Sequence, residues 1–208
     1  IPFRFIFRTP ENLKACNKIA IESQKISKNS KIYTVCKMEH AGGLLAQTLP
    51  AISIGAEVTV EQFNAYRFSK EINKYTHTHL TPGHAKAIIK TKGFKNLNLN
   101  GIWVTCGSDP VEWYIIESFV DKGATFMANW GMSEIGPMTI NKVFYNSDQI
   151  QEVKRQETIL GDTYYCDWKI ENDILHVKGD TCIYNDWYNT KDLVYLNKDK
   201  MYYNDRLI

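Results

Sequence analysis

An α/β fold, a largely parallel sheet with flanking helices followed by a small antiparallel β-barrel-like subdomain, is what this sequence predicts, on three observations. Up to about residue 136, short β-branched apolar runs alternate with helical stretches of about 10 to 15 residues. Beyond that point, short alternating segments are separated by Asn, Asp and Gly clusters. A chain of 208 residues with 44% hydrophobic content can bury one substantial core or two small ones.

Residues 1–7 read as a strand-like run. Thr9-Pro10-Glu11 then supplies a capping hydroxyl, a proline for the first helical position and an acid for the first turn, so a helix begins there and runs towards Ser27. The apolar, β-branched run 32–38 reads as a buried strand. Helix 43–52, strand 56–60, helix 61–74, strand 76–81 and helix 84–92 follow, then strand 101–106, helix 110–122 and strand 124–130. This alternation implies βαβ units and a parallel sheet. The segments 138–145, 156–160, 164–170, 174–178, 193–196 and 201–203 read as antiparallel hairpins. A boundary is expected near Asn146, dividing the chain into residues 1–145 and 146–208.

Lys and Arg total 25 against 23 Asp and Glu and are scattered, so there is no nucleic-acid or membrane footprint. The five cysteines, Cys16, Cys36, Cys106, Cys166 and Cys182, are widely spaced with no C-x-x-C pair, and read as reduced and mostly buried. No apolar stretch approaches the roughly 20 residues of a membrane span, and residues 1–7 are too short and too interrupted by Arg4 for a signal peptide; a cytoplasmic location is expected. Both ends cut into strand-like text, which reads as excision from a longer polypeptide or completion by a partner, either a second copy or a chain supplying the missing segments.

In a parallel sheet, ligands sit beyond the carboxyl ends of the strands. Four such places hold chemistry-bearing residues. Glu39-His40-Ala41-Gly42-Gly43 follows the strand 32–38, with His40 at its mouth and two glycines that let backbone amides approach a ligand; its structural alternative is a helix start capped by histidine. Cys106-Gly107-Ser108-Asp109-Pro110 offers a close approach and two hydrogen-bonding side chains, or only a well-capped helix. Asn129-Trp130-Gly131-Met132-Ser133-Glu134 puts an aromatic plate, a hydroxyl and a carboxylate within six residues of one strand tip, suited to a purine, a phosphate and a Mg²⁺ ion. Trp187-Tyr188-Asn189-Thr190-Lys191-Asp192 ends in a carboxylate suited to ribose hydroxyls.

In this order, the four resemble the adenylate-forming superfamily: acyl-CoA synthetases, aryl-CoA ligases, luciferase and peptide-synthetase adenylation domains. His40, Gly42 and Gly43 match the family's His-x-Gly-Gly acyl-pocket motif, and residues 44–60 continue its Leu-Pro-Ala and Gly-Ala-x-Val-x-Val pattern. Gly107-Ser108-Asp109 falls at the adenine loop, usually Gly-Gly-Ala or Gly-Ala-Ala. Residues 129–134 match Asn-x-Tyr-Gly-x-Thr-Glu, with Trp130 for the stacking Tyr and Ser133 for Thr. Residues 187–192 match Gly-Trp-Phe-x-Thr-Gly-Asp, and Arg206 falls where the family's ribose-contacting Arg precedes a hinge.

The resemblance implies an acyl-CoA synthetase-like fold and attack of a carboxylate on the α-phosphate of MgATP, giving acyl-AMP and pyrophosphate, then acyl transfer to a thiol such as coenzyme A. It implies that His40 borders the acyl group of a carboxylic-acid substrate, that Gly107, Ser108 and Asp109 line adenine, and that Trp130 stacks on it within the Asn129–Met132 stretch. Ser133 would touch phosphate, Glu134 hold Mg²⁺, and Asp192 and Arg206 bind ribose. There are departures. Lys191 replaces the family's glycine before the ribose carboxylate, and Asp109 puts a charge in the adenine loop. The family's Gly-x-Pro-Lys-Gly phosphate loop has at most its tail in Ile1-Pro2-Phe3-Arg4, and the mobile C-terminal domain with its catalytic lysine has no match. Little ligase activity is therefore expected of these residues alone, and the alternative is a non-catalytic remnant that binds AMP, an acyl ligand or another protein. Thr76-His77-Thr78-His79, with His84 beyond, has metal-like spacing but no completing ligand in the local sequence, and reads as substrate lining or core. The aromatics Tyr164, Tyr165, Trp168, Tyr184, Trp187, Tyr188, Tyr195, Tyr202 and Tyr203 read as barrel core.

Overall fold

A computed structural model of the chain describes residues 5–207. Residues 1–4, expected to hold at most the tail of a phosphate loop, and Ile208 lie outside the described residues, and 5–9 take no regular structure, so no strand is seen there before the first helix.

Helix α1 (Pro10–Gln24) starts as the sequence dictates: Thr9 Oγ1 accepts from the Asn12 amide at 3.1 Å and Pro10 needs no hydrogen bond. It ends three residues short of Ser27 because Lys25 turns left-handed, at φ 54°, and its amide caps the last turn. Strand β1 (Lys31–Thr34) is shorter than the predicted 32–38; the chain leaves the sheet at Val35 and forms the first site loop. The following helix is built in three pieces, α2 (Ala41–Gly43), a π-helical stretch (Leu44–Thr48) and α3 (Leu49–Ser53). Pro50 is the cause: having no N–H, it leaves the Ala46 carbonyl without its usual partner. Gln24 from α1 fills the gap, its Nε2 donating to Ala46 O at 2.7 Å.

Strand β2 (Glu57–Val60) precedes α4 (Ala65–Glu71), which begins later than predicted because Asn64 Oδ1 caps it. Strand β3 (His77–Leu80) leads to α5 (Pro82–Ile89), begun by the same Thr-Pro grammar as α1. Strand β4 (Trp103–Cys106) and α6 (Trp113–Val120) follow; the helix starts at Trp113 rather than Pro110, so Ser108 to Pro110 form an exposed loop. Strands β5 (Thr125–Met132) and β6 (Gly136–Phe144) make a hairpin, and α7 (Ser147–Val153), unpredicted, is capped by Asn146.

The remaining strands are β7 (Thr158–Gly161), β8 (Thr163–Tyr164), β9 (Asp167–Glu171), β10 (Ile174–Lys178), β11 (Tyr188–Asn197) and β12 (Lys200–Arg206). The predicted segment 164–170 is split, and β11 begins at Tyr188 rather than at residue 193, so residues 188–192 are strand and Asp192 is not an exposed turn residue. The β9–β10 hairpin turns on Asn172 and Asp173, both at positive φ, as a two-residue turn of this twist requires.

The first sheet runs β2-β1-β3-β4-β5-β6-β8, parallel from β2 to β5 and antiparallel at β6 and β8. The second, β7-β12-β11-β10-β9, is antiparallel throughout. The α/β fold with a parallel-rich sheet and a separate antiparallel one is thus borne out. Packing ties the two together: Ile159 and Tyr202 of the second sheet share an apolar cluster with Trp113, Phe126 and Phe144. The described cysteines are free, and Cys166 alone among them is only half-buried. Most of the aromatics expected in the barrel core are core or pack on it, but Tyr184 and Trp187 are exposed, Trp187 beneath the Lys169 ammonium. No helix among the described residues is long and apolar enough to cross a membrane.

The order β2-β1-β3 means that the chain steps outward from β1 and back to β3, so the loops beyond those two strands diverge. Such a switch point opens a crevice at the carboxyl edge.

Candidate functional site

The crevice is lined first by the loop after β1. His40 occupies the N-cap position of α2, with extended backbone, but makes no capping side-chain bond and is exposed. The capping alternative is therefore wrong for the imidazole. Gly43 is required by close approach: a Cβ there would fall on the Lys37 carbonyl oxygen.

Beyond β4, Gly107 runs against the Asn129 backbone, where a Cβ would not fit. Ser108 follows at φ 85°, a left-handed conformation that favours glycine, which is the residue the resemblance puts in this loop. Asp109 is exposed, and its carboxylate takes the Ser108 hydroxyl at 3.3 Å.

The stretch 129–134 lies on the end of β5 and the turn into β6. Asn129 Oδ1 accepts from the Met138 amide at 2.8 Å, fixing the hairpin. Trp130 is only 8% exposed, and its Nε1 donates to Asp192 Oδ2 at 2.9 Å. Ser133 is exposed, and its carbonyl accepts from Arg8 Nη2 at 2.7 Å; Arg8 also donates to Thr181 O and Asn12 Oδ1. Glu134 is 7% exposed, and its carbonyl accepts from the Ile183 amide.

Asp192 sits inside β11, 3% exposed, opposite Arg206 of β12. Its Oδ1 accepts from Arg206 Nε at 3.1 Å, so both carboxylate oxygens are engaged. Burial raises the Asp192 pKa above the usual carboxylate range, against the Trp130 hydrogen bond and the Arg206 charge, which lower it. Arg206 also donates to Thr190 O at 3.3 Å. Lys191 takes φ 63°, the conformation for which glycine is suited, at the position where the resemblance places glycine.

Two adjoining cavities collect these groups. The larger, about 500 Å³, is bordered by His40, Ser133, Glu134 and Arg206, with Cys36, His79 and His84 at the switch point. The smaller, about 210 Å³, is bordered by Asp109, Trp130, Asp192 and Tyr203. Ser108, Asn129, Gly131, Met132 and Arg206 belong to both. Each predicted site residue therefore lines one cavity or the other, except Gly107, which packs beneath.

Sequence reasoning missed the completion of the histidine set. His77 accepts or donates at Gln24 O, 2.9 Å away, and belongs to the α1 packing. His79 and His84 instead turn Nδ1 towards Cys36 Sγ, at 3.5 and 3.7 Å. Cys36 is 43 residues from His79, so no local spacing announced it. Among the described residues no group of three or more His, Cys, Asp or Glu side chains could hold a metal ion.

No family model matches the chain. An indoleacetate–CoA ligase of Aromatoleum aromaticum is 28% identical over 123 residues, 57% of this chain and 24% of that protein. Among solved structures, o-succinylbenzoate CoA synthetase of Bacillus subtilis in complex with AMP superposes with a TM-score of 0.78 at 19% identity, over 97% of this chain and 46% of that one. The amide bond synthetase McbA of Marinactinospora thermotolerans gives 0.80 at 16% identity, over 94% and 45%. The N-terminal domain of FACL13 from Mycobacterium tuberculosis gives 0.80 at 14% identity, over 96% and 56%. The match spans about a quarter of the curated relative and about half of each of these solved chains.

Proposed function

We propose, for a chain whose motifs and fold resemble those of the adenylate-forming superfamily, that residues 5–207 build the adenosine- and carboxylate-binding face of an acid–thiol ligase. The observation that carries this reading is the convergence of Trp130, Asp192, Arg206 and the 108–109 loop on one small cavity that shares a wall with a larger one. An adenosine in the smaller cavity would have its ribose beside Asp192 and Arg206 and its base against Trp130, Tyr203 and the Ser108 loop. A carboxylate in the larger cavity would lie between His40 and Glu134. The reaction is then carboxylate plus MgATP to acyl-AMP and pyrophosphate, followed by transfer to a thiol such as coenzyme A.

The donor set fits a nucleotide: the Asp192 carboxylate in the smaller cavity, the Arg206 guanidinium at the shared wall, and hydroxyls at Ser108 and Ser133. For Mg²⁺ the fit is partial and of the expected kind, since Glu134 offers one hard oxygen and this ion usually takes one or two carboxylates plus phosphate and water. When bound, Mg²⁺ neutralises phosphate charge. The chain's own residues orient: Arg206 balances negative charge between the cavities, and Asp192 accepts ribose hydroxyls once its present partners yield.

The 208 residues by themselves contain no match to the family's Gly-x-Pro-Lys-Gly loop or to its catalytic lysine, so binding without turnover is expected of them. Calorimetric titration with AMP and with ATP tests this: comparable affinity for both is predicted, and brisk pyrophosphate release with a panel of acids would refute the inactivity. One observation favours the second reading, a non-catalytic interaction protein. Each Asp192 oxygen already has a partner and Trp130 is buried, so a ribose must either displace Arg206 from the carboxylate or use its remaining acceptor sites. Failure to bind either nucleotide would support it.

A further inference from the structure

Resting on that reading, the switch-point end of the larger cavity carries a further statement about the acid. Cys36, His79, Thr81 and His84 form this end, and no bulky aliphatic side chain joins them there. His79 packs its ring edge over Gly42, and His84 stacks on Phe63 with ring centroids 4.0 Å apart. Both rings are thereby fixed. Each presents Nδ1 to the Cys36 sulfur, whose thiol is also within 3.3 Å of the His79 carbonyl. Among the described residues no protein group bonds either Nε2, and neither atom is shut off from solvent, so both rings, which line the cavity, keep a hydrogen-bonding nitrogen that water can reach. An imidazole nitrogen that a ligand seals from water without replacing the lost hydrogen bond costs free energy, which a ligand carrying a hydrogen-bonding group avoids.

We propose that this end of the cavity selects carboxylic acids whose far end carries a neutral hydrogen-bonding group, such as a hydroxyl, phenol, carboxamide or ring N–H, over plain alkyl acids and over dicarboxylates. An alkyl terminus would seal both Nε2 atoms away from water unbonded. A second carboxylate would require a cation at this end. The groups facing the cavity are Lys37 and His40, both exposed, and Glu134 and Arg206 near the shared wall; Cys36, His79 and His84 complete the set. Burial holds both imidazoles neutral, that of His79 down to about 4, so the end offers hydrogen bonds rather than charge.

The test uses non-hydrolysable acyl-sulfamoyl adenosines with chains of four to six carbons ending in methyl, hydroxyl or carboxylate, titrated calorimetrically beside AMP. About tenfold tighter binding of the hydroxyl series than of either other series is expected, the worth of one net hydrogen bond. His79→Leu should abolish that preference while leaving AMP affinity unchanged; should it fail to fold, His84→Leu, on the more exposed ring, reads the same loss. AMP binding with equal affinities across the three series, or a preference for methyl or carboxylate, overturns this inference alone. No binding of AMP overturns the adenosine reading with it.

Discussion

Replacing Asp192 by Asn removes a charge and half an acceptor set in the smaller cavity, beside the Arg206 that both cavities share. The native carboxylate accepts from Trp130 Nε1 at 2.9 Å through one oxygen and from Arg206 Nε at 3.1 Å through the other. An amide retains one acceptor and turns an NH₂ towards a donor, so one of the two N–H groups loses its partner. Truncating a buried ion pair costs about 3–5 kcal/mol when both charges are desolvated. Arg206, about half exposed at 48%, relaxes into water, which brings the expected loss to roughly 1–3 kcal/mol. Urea unfolding at neutral pH followed by tryptophan fluorescence should show the midpoint falling with an unchanged slope. Trp130→Phe deletes only the neutral donor and should cost less than Asp192→Asn. Affinity for AMP should fall roughly 10- to 100-fold in Asp192→Asn, the range of a hydrogen bond to a charged group. If Asp192→Asn unfolds at the wild-type midpoint and binds AMP as tightly, the carboxylate neither holds β11 to β5 nor meets ribose, and the reasoning fails.

Lys191→Gly should raise stability by about 1 kcal/mol, read as a higher urea midpoint, because φ 63° strains a side chain that glycine lacks; an unchanged or lower midpoint would deny the strain. Gln24→Ala should cost roughly 1–3 kcal/mol by the same assay, since it strips the Ala46 carbonyl beside Pro50 of its donor; a neutral effect would show that water replaces the amide. Between pH 6.5 and about 4 stability should decline. The His79 pKa lies below its ordinary 6.5, so the neutral ring's contribution is present above 6.5 and is lost as pH falls towards 4. The full difference corresponds to about 3 kcal/mol, and His79→Gln should flatten the profile by that amount while His77 and His84 retain smaller slopes.

What was legible in the sequence was local. Thr9-Pro10 announced α1, the β-branched runs announced a parallel sheet, and Asn172-Asp173 closed a hairpin, because caps, strands and turns are written within a few residues. Thr81-Pro82 carried the same signal as Thr9-Pro10, and α5 could have been started there. What stayed hidden depends on contacts between distant residues. The π-helical stretch at 44–48 follows from Pro50, but its tolerance comes from Gln24 on another helix. The Trp130 to Asp192 bond spans 62 residues and turns an expected open plate into a buried donor. Cys36 meets His79 and His84 only because β1 and β3 are neighbours in the sheet. Lys191 was visible as a departure from a glycine pattern, whereas the left-handed Ser108 was not singled out, and neither backbone angle was legible, since nothing local forces a lysine or serine to positive φ.

The central claim is spatial, and a crystal structure of the chain soaked with AMP tests it most directly. Adenosine bound between Trp130 and the Ser108 loop, with its ribose hydroxyls on Asp192 and the Arg206 side chain displaced from that carboxylate, is the predicted result. AMP seated elsewhere, or absent at saturating concentration with the Asp192 to Arg206 pair intact, would contradict it.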